Sequence, residues 1–233
     1  MPSNPATPPK PPTIAVFDLD GTITTRDTGA AYFLGYLRHH PRRWLRGLPL
    51  AGTAALFGCG LIDNAGMKQA ALDRILGGLD RAAIEAWTAR FVPWCIERLV
   101  RPGARSRIAT HRRDGDRLVL ATASLDLYVE PLGRALGFAD IVCTKAAWTA
   151  QGRISGALDG ENLRGERKLA ATQRYLGASE AGPRAASVIA YSDHHSDLPL
   201  LRWAGRAVAV NPTGQLAAAA ESEGIPIEDW DRP

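Results

Sequence analysis

Cysteine is scarce in this chain of 233 residues: Cys59, Cys95 and Cys143 lie far apart and form no C-x-x-C pair. An odd, sparse set gives no disulfide framework. It fits a reducing compartment in which each thiol serves as a small buried hydrophobe. Long apolar runs are also missing. The longest uncharged stretch, Leu48 to Ile62, falls short of the about 20 residues that a membrane-spanning helix needs. It reads as a buried helix of an accessory domain or, because Arg38, Arg42, Arg43 and Arg46 precede it, as a face that meets a membrane or a lipid substrate. Met1 to Pro12 is proline-rich and lacks the apolar core of a signal peptide, so a disordered lead-in and a cytoplasmic address are the expectations. No sign of charge dominates, with 28 Lys and Arg against 24 Asp and Glu. The slight basic excess suits anionic partners without choosing among phosphate esters, anionic lipids and nucleic acid. Aromatics make up 7% and do not interleave with the arginines, which argues against a nucleic-acid surface.

What is present is the pattern of a layered α/β protein. Hydrophobic residues make up 45%, enough to exclude disorder of the whole chain. Thr13 to Phe17 is a continuous apolar run that ends in Asp18-Leu19-Asp20-Gly21-Thr22, as a strand buried on both faces would. Similar runs recur at Leu118 to Ala121, Ile141 to Cys143, Ser187 to Tyr191 and Ala207 to Val210. Helical patterns fall between several of them, at Ala104 to Arg113, Leu125 to Leu136, Glu166 to Leu176 and Leu198 to Trp203. This alternation predicts a doubly wound, Rossmann-like and mostly parallel sheet. Turn chemistry at Gln151-Gly152-Arg153 and Leu158-Asp159-Gly160 predicts a small β excursion before the Glu166 helix. The first two strands are about a hundred residues apart, far more than a crossover requires. An inserted helical domain over residues 27–99 is the economical explanation, leaving 13–26 and 100–233 as the core. It would sit over the carboxyl end of the first strand, where ligands bind in such sheets.

Four clusters carry the chemistry. In Asp18-Leu19-Asp20, two carboxylates at i and i+2 in a loop can divide the work. One attacks phosphorus, while the other protonates the leaving oxygen and later activates water. Gly21 permits the tight turn after the strand. Thr122-Ala123-Ser124 follows the second buried run, where a hydroxyl and a backbone N–H (Thr122 and Ala123) can hold phosphate oxygens. Ser124 reads as the N-cap of the helix that follows. Lys168 stands near a helix start. Asp193 and Asp197, in Ser192-Asp193-His194-His195-Ser196-Asp197, sit four apart after another buried strand and suit a hard cation with oxygen ligands.

Taken in this order, the clusters resemble the four motifs of the haloacid dehalogenase superfamily. The insertion directly after the first motif is similar to that superfamily's helical C1 cap. Tyr191-Ser192-Asp193 with Asp197-Leu198-Pro199-Leu200-Leu201, followed by Val210-Asn211-Pro212, resembles its IB subfamily, which includes phosphoserine phosphatase and the C-type phosphatidylglycerophosphatase. The resemblance implies a Mg²⁺-dependent phosphatase with Asp18 as nucleophile and Asp20 as general acid/base. It also implies phosphate binding by Thr122, Ala123 and Lys168, and a metal held by Asp18, the Asp20 carbonyl and Asp193. Asp197 would support Lys168 or a metal-bound water. Asp27 falls where phosphoserine phosphatase keeps an acidic residue for the substrate amine, although a helix N-cap is an equal reading. Phosphoserine phosphatase has Ser-Gly-Gly at the second motif and Gly-Asp-Gly-x-Asn-Asp at the fourth. The departures here leave the core chemistry intact but weaken the case for phosphoserine as substrate. Small phosphorylated metabolites such as phosphoserine-like or histidinol-phosphate-like esters, or a phospholipid headgroup, are the expected partners.

Other classes fit less well. His194 and His195 invite zinc, but the neighbouring ligands are hard oxygens and no third nitrogen or sulfur is in view. Asp20 argues against a dehalogenase, because it supplies the second carboxylate that phosphoryl chemistry needs. A phosphonatase would need a Schiff-base lysine, for which Lys68 is the one candidate in the insertion. A phosphotransferase of the same superfamily stays open. A non-catalytic anion-binding protein would leave the set of carboxylates unexplained.

Overall fold

The structure is a computed structural model and describes residues 13–47, 49–50, 52–53, 58–177 and 187–232. The lead-in 1–12, and residues 48, 51 and 54–57 of the apolar stretch, lie outside the described residues. Ile14–Phe17 (β1) is buried at every position and takes the centre of a seven-stranded sheet. Arg117–Leu125 (β2) and Val188–Ser192 (β5) flank it, both parallel. Asp140–Trp148 (β3) and Ile154–Asp159 (β4) extend one side, with β4 antiparallel, which is the β excursion expected from the turns. Arg206–Val210 (β6) and the short Ile227–Glu228 (β7) extend the other side. The doubly wound order is therefore β4-β3-β2-β1-β5-β6-β7. β2 and β3 run several residues beyond their apolar runs, because polar positions at their ends still join the ladder.

Between β1 and β2 the described chain is helical: Thr28–His39 (α1), Trp44–Gly47 (α2), Asn64–Ala71 (α3), a π turn at Leu72–Leu76, Arg81–Leu99 (α4) and Pro102–Arg113 (α5). Asp27, Asp63 and Asp80 cap α1, α3 and α4 by accepting a hydrogen bond from the third residue onward. The entrance and exit of the segment are stitched together, with Thr25 N–H donating to the Leu99 carbonyl and Arg101 N–H to that of Ile23. Asp126–Leu136 (α6), Glu166–Tyr175 (α7), Leu198–Trp203 (α8) and Gly214–Glu223 (α9) complete the helices discussed below.

One hydrophobic cluster runs without a break from Phe17, Leu120 and Tyr191 of the sheet through Tyr128 and Leu132 to Tyr32, Trp87 and Phe91 of the inserted helices. Tyr32 packs on Tyr128 at 4.7 Å between ring centroids. The Tyr32 hydroxyl meets Thr88 Oγ1 at 2.7 Å, and Thr88 donates on to the Leu127 carbonyl. A second cluster, around Val16, Val119, Ala190 and Leu200, fills the other face. No helix among the described residues is long and apolar enough to cross a membrane.

Candidate active site

The carboxyl ends of β1, β2 and β5 open onto one cavity of about 380 Å³. Asp18, Asp20, Thr122, Ala123, Lys168, Asp193 and Asp197 all line it, as does Asp27. The sheet explains the convergence, since parallel central strands deliver their following loops to the same edge.

Asp18 is buried and leaves β1 with its N–H bonded to the Tyr191 carbonyl at 3.0 Å. The loop turns at Gly21, whose φ is +82°. A Cβ there would come within 2.1 Å of Asp193 Oδ2, so glycine is required both for the turn and for the approach of that carboxylate. Thr22 donates its hydroxyl to Asp193 Oδ1 at 3.1 Å. Arg101, itself buried, donates to the Gly21 carbonyl and pairs with Asp231, which braces the loop from behind.

Lys168 reaches this edge from the first turn of α7 and is buried. Its Nζ donates to Asp18 Oδ1 at 2.8 Å and to Asp197 Oδ2 at 2.6 Å. Ser192 donates to the same Asp197 oxygen. Burial works against the ammonium, yet Asp18 and Asp197 beside it hold its pKa above the ordinary lysine value. For Asp18, burial raises the pKa, Lys168 opposes this, and Asp197 and Asp193 add repulsion; the net direction is upward. Burial likewise pushes Asp193 up, to about 6.

Asp20 is held differently. Its Oδ1 accepts from both the N–H and the hydroxyl of Thr28 at 2.6 Å each, and its Oδ2 accepts from Ser124 Oγ. The carboxylate thus sits at the N-terminus of α1, where the helix favours negative charge. Burial, with Asp27 second, raises its pKa against these donors. Ser124 is therefore not the N-cap expected from the sequence. β2 continues to Leu125, with its register on β3 shifting between Thr122 and Leu125, and the bulge turns the Ser124 hydroxyl onto Asp20. Asp27 caps α1 through Ala30 N–H and is exposed at the cavity rim. Thr122 is buried and accepts from Ser124 N–H.

The sequence reading missed Thr28 and Ser124, which hold Asp20, Tyr128 on the cavity wall, and Asn162, which accepts from Lys68 Nζ behind it. Thr28 and Ser124 carried a signal, since hydroxyls beside a helix start or a strand end are polar groups that must find a partner once buried. Tyr128 and Asn162 carried none. His194 Nδ1 faces Ser196, and its Nε2 lies 3.4 Å from Arg164. Among the described residues no group of three His, Cys, Asp or Glu side chains has a metal-binding arrangement, so a cation here would need a backbone carbonyl such as that of Asp20. The donor set otherwise suits a hard divalent cation. Asp18 and Asp197 share the ammonium of Lys168, Asp193 is met by the neutral Thr22 hydroxyl, and Asp197 Oδ1 is buried with no hydrogen-bond partner.

The profile of the haloacid dehalogenase-like hydrolase family matches residues 15–202. Protein CicA of Caulobacter vibrioides (strain NA1000 / CB15N) is 35% identical over 191 residues, 82% of each chain. A Mycobacterium tuberculosis (strain ATCC 25618 / H37Rv) protein named as a probable phosphatase is 30% identical over 97% of this chain and 78% of its own. A substrate-bound phosphoserine phosphatase structure, 16% identical, superposes with a TM-score of 0.64 over 95% of both chains, a likeness of fold.

Proposed function

This chain belongs to the haloacid dehalogenase-like hydrolase family, and from that premise we propose that it is a Mg²⁺-dependent phosphatase acting on phosphate monoesters through an aspartyl-phosphate on Asp18. The observation that carries the reading is Lys168 Nζ bridging Asp18 and Asp197 at the edge where Thr122 and Asp193 also converge. A phosphate dianion repels an attacking carboxylate, and a fixed ammonium beside that carboxylate offsets the repulsion. Asp18 attacks phosphorus, forming an O–P bond as the ester O–P bond breaks. Asp20, kept protonated more readily by burial, gives its proton to the departing alkoxide. It then takes a proton from the water that hydrolyses the acyl phosphate, and Asp18 and Asp20 return to their starting states. Thr122 and the Ala123 N–H hold phosphate oxygens. Asp18, Asp193 and the Asp20 carbonyl would hold Mg²⁺, which supplies further positive charge against the phosphoryl oxygens when bound.

General acid catalysis contributes only about 10²–10⁴, whereas monoester hydrolysis can be accelerated by up to about 10²¹. Charge stabilisation and positioning must supply the larger share. Residues 27–99 act in this reading as a helical cap, because Phe33, Asn64 and Lys68 close the cavity from above the sheet edge. The substrate is a small phosphorylated metabolite, the compartment the cytoplasm. A phospholipid headgroup is supported by the exposed Trp44 and Leu45, which lie between the exposed Arg42 and Arg46 in sequence. Turnover of p-nitrophenyl phosphate should need Mg²⁺ and stop with a chelator. Full activity in metal-stripped buffer, or restoration by zinc alone, would overturn the metal assignment, and no turnover of any monoester would overturn the reading.

A further inference from the structure

Lys68 enters the cavity from α3, in the inserted segment, and its Nζ donates to the Ala123 carbonyl and to Asn162 Oδ1, both at 2.5 Å. Both acceptors are neutral, and no ion pair of Lys68 with a carboxylate is found among the described residues. Asn162 is buried and held in turn by Thr144 and Asn64, so the lysine head is fixed rather than free to swing into solvent. Burial depresses its pKa to about 8, against the attraction of Asp20 and Asp27. A cation so placed is short of counter-charge, and a buried charge is stabilised when an opposite charge comes within reach.

Its surroundings on the cavity wall have the same sign. Outside the residues assigned to the phosphoryl chemistry, the charged groups lining the cavity are Arg26, Lys68 and Arg164 against Asp27. Asp27 Oδ1 is engaged in capping α1. An ester whose alcohol carries an amine would meet three cations here, whereas one whose alcohol carries an anion would complete Lys68.

We propose that Lys68, with Arg164, forms a second anion subsite beside the phosphoryl position, so that the preferred substrates are phosphate esters of alcohols bearing a carboxylate or a second phosphate. This rests on the phosphatase reading of the same cavity and narrows it. Lys68 binds the non-reacting anion, and the cavity of about 380 Å³ has room for the phosphoryl group and a small alcohol together.

The test compares kcat/KM, with Mg²⁺ present, for 3-phosphoglycerate, glycerol 2-phosphate and phosphoethanolamine, whose alcohols are anionic, neutral and cationic. A bisphosphate of a short diol tells a carboxylate preference from a phosphate preference. The expected order is anionic over neutral over cationic, with at least about tenfold between the first two. Lys68→Gln should cost the anionic ester about tenfold or more, chiefly in KM, and bring the anionic-to-neutral ratio within about threefold of unity. Lys68→Arg should keep most of the preference, and an unchanged melting temperature in both variants shows that the fold is intact. Equal losses on all three esters would make Lys68 a ligand of the reacting phosphate and overturn the proposal. So would a wild-type preference for phosphoethanolamine. Turnover of p-nitrophenyl phosphate with no charge preference among the esters defeats the subsite and leaves the phosphatase reading standing, whereas no turnover of any ester removes both.

Discussion

The edge of the sheet and the helices inserted after β1 handle charge in opposite ways. At the edge, Lys168 is enclosed by Asp18 and Asp197, and each nearby carboxylate is met by a named donor. In the insertion Arg38, Arg42 and Arg46 are exposed, and hydrophobic residues as large as Trp44 and Leu45 stand in solvent beside them. Arg43 alone of that basic cluster turns inward, donating to the Ile75 and Gly77 carbonyls at the end of the π turn. The contrast separates two uses of charge. Buried, paired charge fixes geometry, because moving either partner leaves the other unpaired in a poor dielectric. Exposed charge of one sign fixes no geometry and is worth little within the molecule, but it can attract a partner from solution.

The largest expected effect lies at the sheet edge. Asp18→Asn should lower turnover by about 10⁴-fold or more, since an amide cannot form the acyl phosphate. Circular dichroism should stay unchanged, and retention of more than a few per cent of activity without deamidation would rule out the nucleophile assignment. Next is Lys168→Met, which leaves Asp18 and Asp197 facing each other without their shared cation. It should cost about 10²–10³ in turnover, and about 3–5 kcal/mol of stability by denaturant unfolding, because the carboxylates remain buried. A variant as stable as the parent would show that the pairing does not hold the edge together.

In the insertion the effects should be smaller and depend on salt. The triple variant Arg38→Gln, Arg42→Gln, Arg46→Gln should lose co-sedimentation with anionic vesicles at low salt, at about 1 kcal/mol for each arginine, while a small soluble monoester is still turned over. If the parent fails to bind vesicles at low salt, the lipid role of this face is excluded. The smallest effect is a pH response. His40 stacks on Tyr36 at 4.2 Å, and burial, then His39, Arg43 and Arg90, lower its pKa from the ordinary 6.5. Its folded pKa lies below the unfolded one, so its contribution is present above 6.5 and lost as the pH falls through the folded value. Protection of the α1 amides, after correction for the intrinsic pH dependence of exchange, should therefore fall between about pH 7.5 and 5.5 in the parent and not in His40→Phe. An equal fall in His40→Phe would show that the acid response belongs to other groups.

Much of the fold was legible in the chain. Runs such as Ile14–Phe17 can satisfy their backbone and hide their side chains on both faces only at the centre of a parallel sheet. Such a sheet sends the loops bearing Asp18, Thr122 and Asp193 to one edge, so the meeting of these residues followed from local pattern together with a general rule of topology. Gly21 was legible for the same reason, because the tight turn demanded it before its closeness to Asp193 was known. Lys168 and Asp197 could be brought in by their motif order, although nothing local said that the ammonium would be buried.

What only the tertiary structure decided are contacts between side chains far apart in sequence, each of which has several partners to choose from in an unfolded chain. Ser124 could have capped a helix, and a bulge in β2 turned it to Asp20 instead. Lys68 could have been one more solvated lysine, and the packing of α3 over the bulged strand brought it to Ala123 and Asn162. Periodicity and strand ends are properties of neighbouring residues, which short-range sterics and burial already constrain. The walls of the cavity are set by how separate elements pack, and that information resides in no single stretch of sequence.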